Sequence, residues 1–152
     1  APALRVGQCW LRRYRDSLFL LPGGHADQEK YSTSRPWNAG PTQIKGADIG
    51  IEGKITDGMG LKLSCLKGGL LELRWQKGSA RLRPTANGHH RRVKHLFQEA
   101  GVPPWERFRL PLVYYADQLA CVPGVAMEHS LSASVGEPGI QIMISDLRIT
   151  QS

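Results

Sequence analysis

Arg91-Arg92-Val93-Lys94-His95-Leu96-Phe97-Gln98-Glu99-Ala100-Gly101-Val102-Pro103-Pro104 is the stretch whose reading decides the fold class. Val93, Leu96, Phe97 and Ala100 fall at i, i+3, i+4 and i+7, a single apolar stripe at helical spacing. The spacing predicts the chain's main helix over about residues 91–100. Gly101 stands where a left-handed residue closes a helix, and Pro103-Pro104 forbid its continuation. At about 100° per residue, Arg91, Lys94, His95 and Gln98 lie opposite the stripe.

Around this helix the chain alternates at period two. Ile49-Gly50-Ile51-Glu52-Gly53-Lys54-Ile55, Leu61-Lys62-Leu63 and Leu71-Glu72-Leu73-Arg74-Trp75 read as strands with one wet face, and Ala80 to Arg83 continues the pattern up to Pro84. Leu110–Tyr115 and Gln118–Val122 read as a hairpin around Ala116-Asp117, and further short strands are expected near Ile140–Ile144 and Leu147–Ile149. The opening reads as another hairpin, Cys9 to Arg15 and then Leu18 to Leu21 after a turn at Asp16-Ser17. Residues 22–47, rich in turn-formers, read as a connector with Trp37 as its candidate anchor. The expected fold class is α+β, mostly β, with sandwich- or barrel-like antiparallel strands and one main amphipathic helix.

The 152 residues suffice for one ordinary domain or a small domain with an appendage. A 41% hydrophobic content with 17 Gly and 10 Pro excludes a disordered acidic tail and favours a loop-rich β body. The longest apolar run, Leu112 to Ala116, is far too short to span a bilayer, and no signal-peptide order opens the chain. The absence of an initial Met suggests a piece of something longer. Cys9, Cys65 and Cys121 are far apart and form no CxxC pair, which argues against a disulfide framework or zinc knuckle and for a reducing cytoplasm.

The formal net charge is +7, and its address matters more than its size. Residues 71–110 carry nine bases (Arg74, Lys77, Arg81, Arg83, Arg91, Arg92, Lys94, Arg107 and Arg109) against Glu72, Glu99 and Glu106. Residues 111–152 carry Arg148 alone against four acids. Arg91 and Arg92 fall at the predicted helix start, where a cation is awkward and an anion would be welcome, with Gly88 just before it. Arginine is the residue preferred for bidentate phosphate contact, so nucleic acid is the natural partner. Aromatic residues are sparse in this window, which favours backbone and shape readout of folded RNA over base stacking.

Signs of chemistry are missing. His89, His90 and His95 have gaps of one and five, which are not the spacings of a helical metal pair, and no acid or Cys nearby completes a ligand set. They read as further phosphate donors or surface histidines, and no metal is expected. No GxSxG occurs, Gly53-Lys54 is followed by Ile55 rather than Ser or Thr, and Pro22-Gly23-Gly24-His25-Ala26-Asp27 lacks the Ser and Asp of an ATP-pyrophosphatase loop. No catalytic residue is assigned.

The run Leu71-Glu72-Leu73-Arg74-Trp75-Gln76-Lys77-Gly78, then Arg81-Leu82-Arg83-Pro84, then Arg91 through Leu112, resembles the C-terminal domain of bacterial tRNA(Ile)-lysidine synthetases. Val93-Lys94-His95-Leu96-Phe97-Gln98-Glu99-Ala100-Gly101-Val102-Pro103-Pro104-Trp105-Glu106-Arg107-Phe108-Arg109-Leu110-Pro111-Leu112 follows that family's long ordered block, and Gln118-Leu119-Ala120-Cys121-Val122-Pro123-Gly124 continues the likeness. Two places depart from it: Gly78-Ser79-Ala80-Arg81 replaces a Gly-Gly-Glu-Arg-like turn, and Ala86-Asn87 stands where Gly-Arg is common.

The resemblance implies residues 1–21 as the tail of a preceding substrate-binding domain, 22–70 as connector and first strands, and 71–152 as a C-terminal tRNA-binding domain. It implies an enzyme that uses ATP to attach lysine to the wobble cytidine of an isoleucine tRNA with a CAU anticodon, in the cytoplasm. The catalytic domain, and with it ATP and lysine, would lie outside this chain, which would need no cofactor of its own. The candidate RNA-binding residues are Arg74, Arg81, Arg83, His89, His90, Arg91, Arg92, Lys94, His95, Arg107 and Arg109. The rival readings are a generic RNA- or DNA-binding module and a stand-alone hydrolase using His89, His90 or His95.

Overall fold

The computed structural model describes residues 3–6, 9–14, 17–22, 34–44, 47–75 and 77–146. β1 (Ala3–Val6), β2 (Cys9–Tyr14) and β3 (Ser17–Pro22) form an antiparallel sheet in that order. Its β2–β3 half is the expected opening hairpin, with Tyr14 opposite Ser17 and Cys9 opposite Pro22.

The span read as a connector contains two strands, β4 (Arg35–Pro36) and β5 (Thr42–Ile44). Each closes the edge of a sheet, where a short strand and a proline are tolerated. Neither is long enough to display an alternation. Trp37 is the anchor expected of it: it is buried, and its indole N–H donates to the Gly40 carbonyl at 3.1 Å and to Thr42 Oγ1 at 3.2 Å.

After β6 (Ile49–Asp57) and β7 (Leu61–Lys62), a 3-10 segment over Leu63–Gly69 leads to β8 (Leu71–Arg74), β9 (Arg81–Leu82) and β10 (Arg91–Arg92). Two helices follow, α1 (Val93–Glu99) and α2 (Pro104–Arg107). Then come β11 (Leu112–Tyr115), β12 (Gln118–Val122), β13 (Ala126–Met127) and β14 (Pro138–Asp146). Residues 147–149, read as a further strand, lie outside the described residues.

Two sheets make the body, one in the order β13-β12-β11-β8-β4 and the other β5-β6-β14-β7. Ile49, Ile51, Ile140 and Ile142 from the second share a buried cluster with Leu71, Leu73, Val113 and Cys121 from the first. The two sheets therefore pack face to face as a sandwich. A second cluster joins Val93, Leu96 and Phe97 of α1 to Leu82, Leu112, Leu119 and Val122. Since Leu112 and Val113 are successive, α1 covers the opposite face of the five-stranded sheet. A bulge lets β12 serve both layers: Val113 faces Cys121, Tyr114 faces Leu119, and Ala120 is the extra residue. β14 runs antiparallel to β6 from Pro138 opposite Asp57 to Asp146 opposite Ile49. A Cβ at Gly139 would fall 1.8 Å from the Met59 carbonyl oxygen, so only glycine lets β14 pass the preceding turn.

The main helix is shorter at its start than the spacing predicts. Arg91 and Arg92 belong to β10, held in a ladder opposite Leu82 and Arg81. The Val93 N–H donates to the Ala80 carbonyl at 3.0 Å. At the other end the expectation holds. Gly101 has φ 78°, its N–H donates to Gln98 O, and that of Val102 donates to Phe97 O, which together make a Schellman closure.

Candidate nucleic-acid interface

Leu82 fixes the orientation of the β9–β10 ribbon. Its side chain is wholly buried in the α1 cluster, so its neighbour Arg81 must point the other way, to solvent. Arg92 lies directly opposite Arg81 and is also exposed. Paired residues of an antiparallel ladder share one side, and like charges placed so are destabilising. Among the described residues no carboxylate comes within ion-pair distance of either guanidinium. Arg83 is two residues beyond Arg81; its Nε is buried without a hydrogen-bond partner. Lys94 and His95 on α1 and His89 and His90 in the loop entering β10 are all exposed around this ribbon.

The other candidate arginines are each engaged by a partner within the fold. Arg109 is 5% exposed: its Nε donates to the Ala47 carbonyl at 3.0 Å, and it pairs with Glu106 and, at 3.1 Å, with Asp146. That residue, expected as an RNA contact, has its guanidinium engaged inside the fold, where it staples the start of β6 and the end of β14 to the turn before β11. Arg74 is held by Glu72 and Asp117 and lies over the Tyr114 ring at 4.3 Å from its centroid. Arg91 forms a fork-to-fork pair with Glu99, one arm at 2.8 Å. The Nε of Arg107 donates to the Val102 carbonyl at 2.9 Å.

The anion site expected at the start of the helix is not assembled. α1 has seven residues, Arg92 is its N-cap, and the first N–H is already taken by Ala80. Gly88 closes a turn with Thr85, where a Cβ would meet the threonine hydroxyl at 2.3 Å. Among the described residues no group of three or more His, Cys, Asp or Glu comes together to hold a metal. Cys65 and Cys121 are buried, and burial raises both thiol pKa values, that of Cys121 to about 12. Neither is a nucleophile near neutrality.

Tertiary structure adds groups that the sequence pattern does not point to. His129, from the acidic C-terminal stretch, is brought to the ribbon: its N–H donates to the Arg83 carbonyl at 2.8 Å, and its side chain is exposed. Glu128 beside it is buried and accepts from the Arg83 N–H at 2.9 Å and from the Ser130 N–H and hydroxyl. Burial raises its pKa, but these hydrogen bonds and the nearby Arg83 charge outweigh that, so the carboxyl titrates below its ordinary value. No local signal marks either residue, because both contacts cross about 45 positions of sequence.

A β-sandwich capped on one face by a short helix, with an unneutralised cationic ribbon beside that helix, defines the class of domain. Its fold matches a solved structure described as the crystal structure of TILS C-terminal domain, at TM-score 0.60 and 17% identity, over 79% of this chain and 100% of that one. Residues 71–144 match the family described as the TilS substrate C-terminal domain. A tRNA(Ile)-lysidine synthase of Legionella pneumophila (strain Paris) is 35% identical over 127 residues, 83% of this chain and 28% of that protein. One from Serratia proteamaculans (strain 568) is 33% identical over 147 residues, 90% of this chain and 30% of that protein. The chain belongs to the C-terminal region of the tRNA(Ile)-lysidine synthase family. It spans less than a third of the length of these relatives.

Proposed function

We propose that this chain is the tRNA-docking part of a cytoplasmic tRNA(Ile)-lysidine synthase. The observation that carries the reading is the exposed Arg81–Arg92 pair, set opposite one another with no carboxylate among the described residues within ion-pair distance. Phosphate oxygens supply the missing charge, and Lys94, His89, His90, His95 and His129 widen the cationic face around the pair. Such contacts position a duplex without reading its bases. The bound element is the acceptor stem of an isoleucine tRNA. Holding it there presents the anticodon loop to a catalytic domain outside this chain, which uses ATP to attach lysine to the wobble cytidine. Binding energy gathered far from the reacting base is thereby used to orient that base.

Titrating the chain with isoleucine tRNA over a range of salt tests this. Arg92→Glu with Lys94→Glu is expected to weaken binding at least tenfold and to lower the slope of log K against log salt by about 0.9 for each phosphate no longer neutralised. Unchanged affinity and slope sink the reading. Equal affinity for the tRNA, an acceptor minihelix and a random duplex would replace it with a generic nucleic-acid module.

A further inference from the structure

The fold treats its arginines unequally. Arg74, Arg91 and Arg109 are each matched to a carboxylate. Arg81 and Arg92 face each other at a single cross-strand position, with no carboxylate among the described residues in ion-pair distance of either. β9 ends at Leu82, and Arg83 beyond it has its Nε buried.

The number of forks bears on which phosphate fits. A guanidinium engages a phosphate bidentately along one edge between two free oxygens. An internal phosphodiester has two free oxygens, hence one such edge, and a single negative charge. A phosphate monoester has three free oxygens, hence three edges, and about −1.5 to −2 of charge near neutrality. Two guanidiniums carried on the same side of paired strands exceed the one edge that a single diester offers and match a monoester. In a tRNA the group of that chemistry is the phosphate at the 5′ end, which lies at the tip of the acceptor stem.

We propose that the outward face of the β9–β10 ribbon, through Arg81 and Arg92, is a seat for a phosphate monoester, the 5′-terminal phosphate of the bound RNA. This rests on the RNA-docking reading above and sharpens it from a charged surface to one end group. The ribbon then works as a ruler: seating the 5′ end fixes where the rest of the stem lies on the domain.

The test measures the affinity of the 152-residue chain for one RNA minihelix carrying either a 5′-phosphate or a 5′-hydroxyl. For the unaltered chain, removing the phosphate is expected to weaken binding at least fivefold. For Arg92→Gln, and independently for Arg81→Gln, the same removal is expected to change affinity less than twofold. Equal binding of both RNAs by the unaltered chain, with its salt dependence intact, overturns this inference and leaves the docking reading standing. Binding of neither RNA overturns both. A 5′-phosphate effect that persists in both variants places the site elsewhere and overturns the assignment. So does a nucleoside 5′-monophosphate that displaces the phosphorylated minihelix at equal affinity, since the seat would then take any monoester.

Discussion

Arg109 shows how one residue type divides into two uses. Its side chain is 7% exposed and bonded at three points, so removing it takes an arginine partner from Glu106, Asp146 and the Ala47 carbonyl in a largely dry setting. Arg109→Ala is expected to cost about 3 kcal/mol in urea denaturation, the magnitude for breaking a buried pair from one side. RNA affinity per folded molecule should stay unchanged. A stable variant that no longer binds RNA would return Arg109 to the interface.

Lys77 carries a pH dependence. Its ammonium donates to the Trp75 carbonyl at 2.9 Å and to the Leu110 carbonyl, and burial lowers its pKa from 10.5 to about 7. Above pH 7 the unfolded chain keeps a proton that the folded chain has released, so stability rises with pH. From about pH 9 Cys121 acts in the opposite sense, because the unfolded thiol ionises first. The clean window is therefore pH 7 to about 9. Stability should climb across it, and Lys77→Met should remove the climb; a flat profile in the unaltered chain would contradict this assignment.

At the scale of elements, α1 and the β9–β10 ribbon differ in how openly the sequence displays them. The apolar stripe and Gly101 of α1 are local signals, and both hold in the structure. Gly101→Ala is expected to cost about 1 kcal/mol in a thermal or urea melt, because φ 78° strains any residue with a Cβ. The ribbon is two residues wide on each strand, so no period can be read in it. Helical spacing runs smoothly back through Arg92 and Arg91, and only pairing with Arg81 and Leu82 turns those two residues into strand. The expectation of an anion site at the helix start fails for that reason. The charges stand in the expected neighbourhood but on a different element.

The whole molecule distributes its charge by layer. The basic window supplies β8 of the five-stranded sheet and the ribbon and α1 beside it, while its end reaches the other layer through Arg109, bonded to Ala47 and to Asp146 of β14. A patch concentrated so should bind polyanions with steep salt dependence. The pairing of Arg74, Arg91 and Arg109 with carboxylates makes the working charge smaller than the formal excess. Reversing Arg91 alone should therefore lower the salt slope less than reversing Arg92, as titrations of the two single variants would read. Equal effects would mean that the Arg91–Glu99 pair opens on binding.

By itself, the sequence determined the strand periods, the helix with its glycine stop, the basic window and the ordered block that carries the family likeness. These are local properties, set by spacing along the chain and by the conformations that Gly and Pro permit or forbid. Only the tertiary structure decided which arginines remain free to bind. That choice depends on whether a carboxylate reaches them, and Asp117 and Asp146 come to Arg74 and Arg109 across 43 and 37 positions of chain. It also brought His129 to Arg83 and set Arg81 against Arg92. Charge is a property of the residue, but its availability is a property of its neighbours, and only folding chooses those.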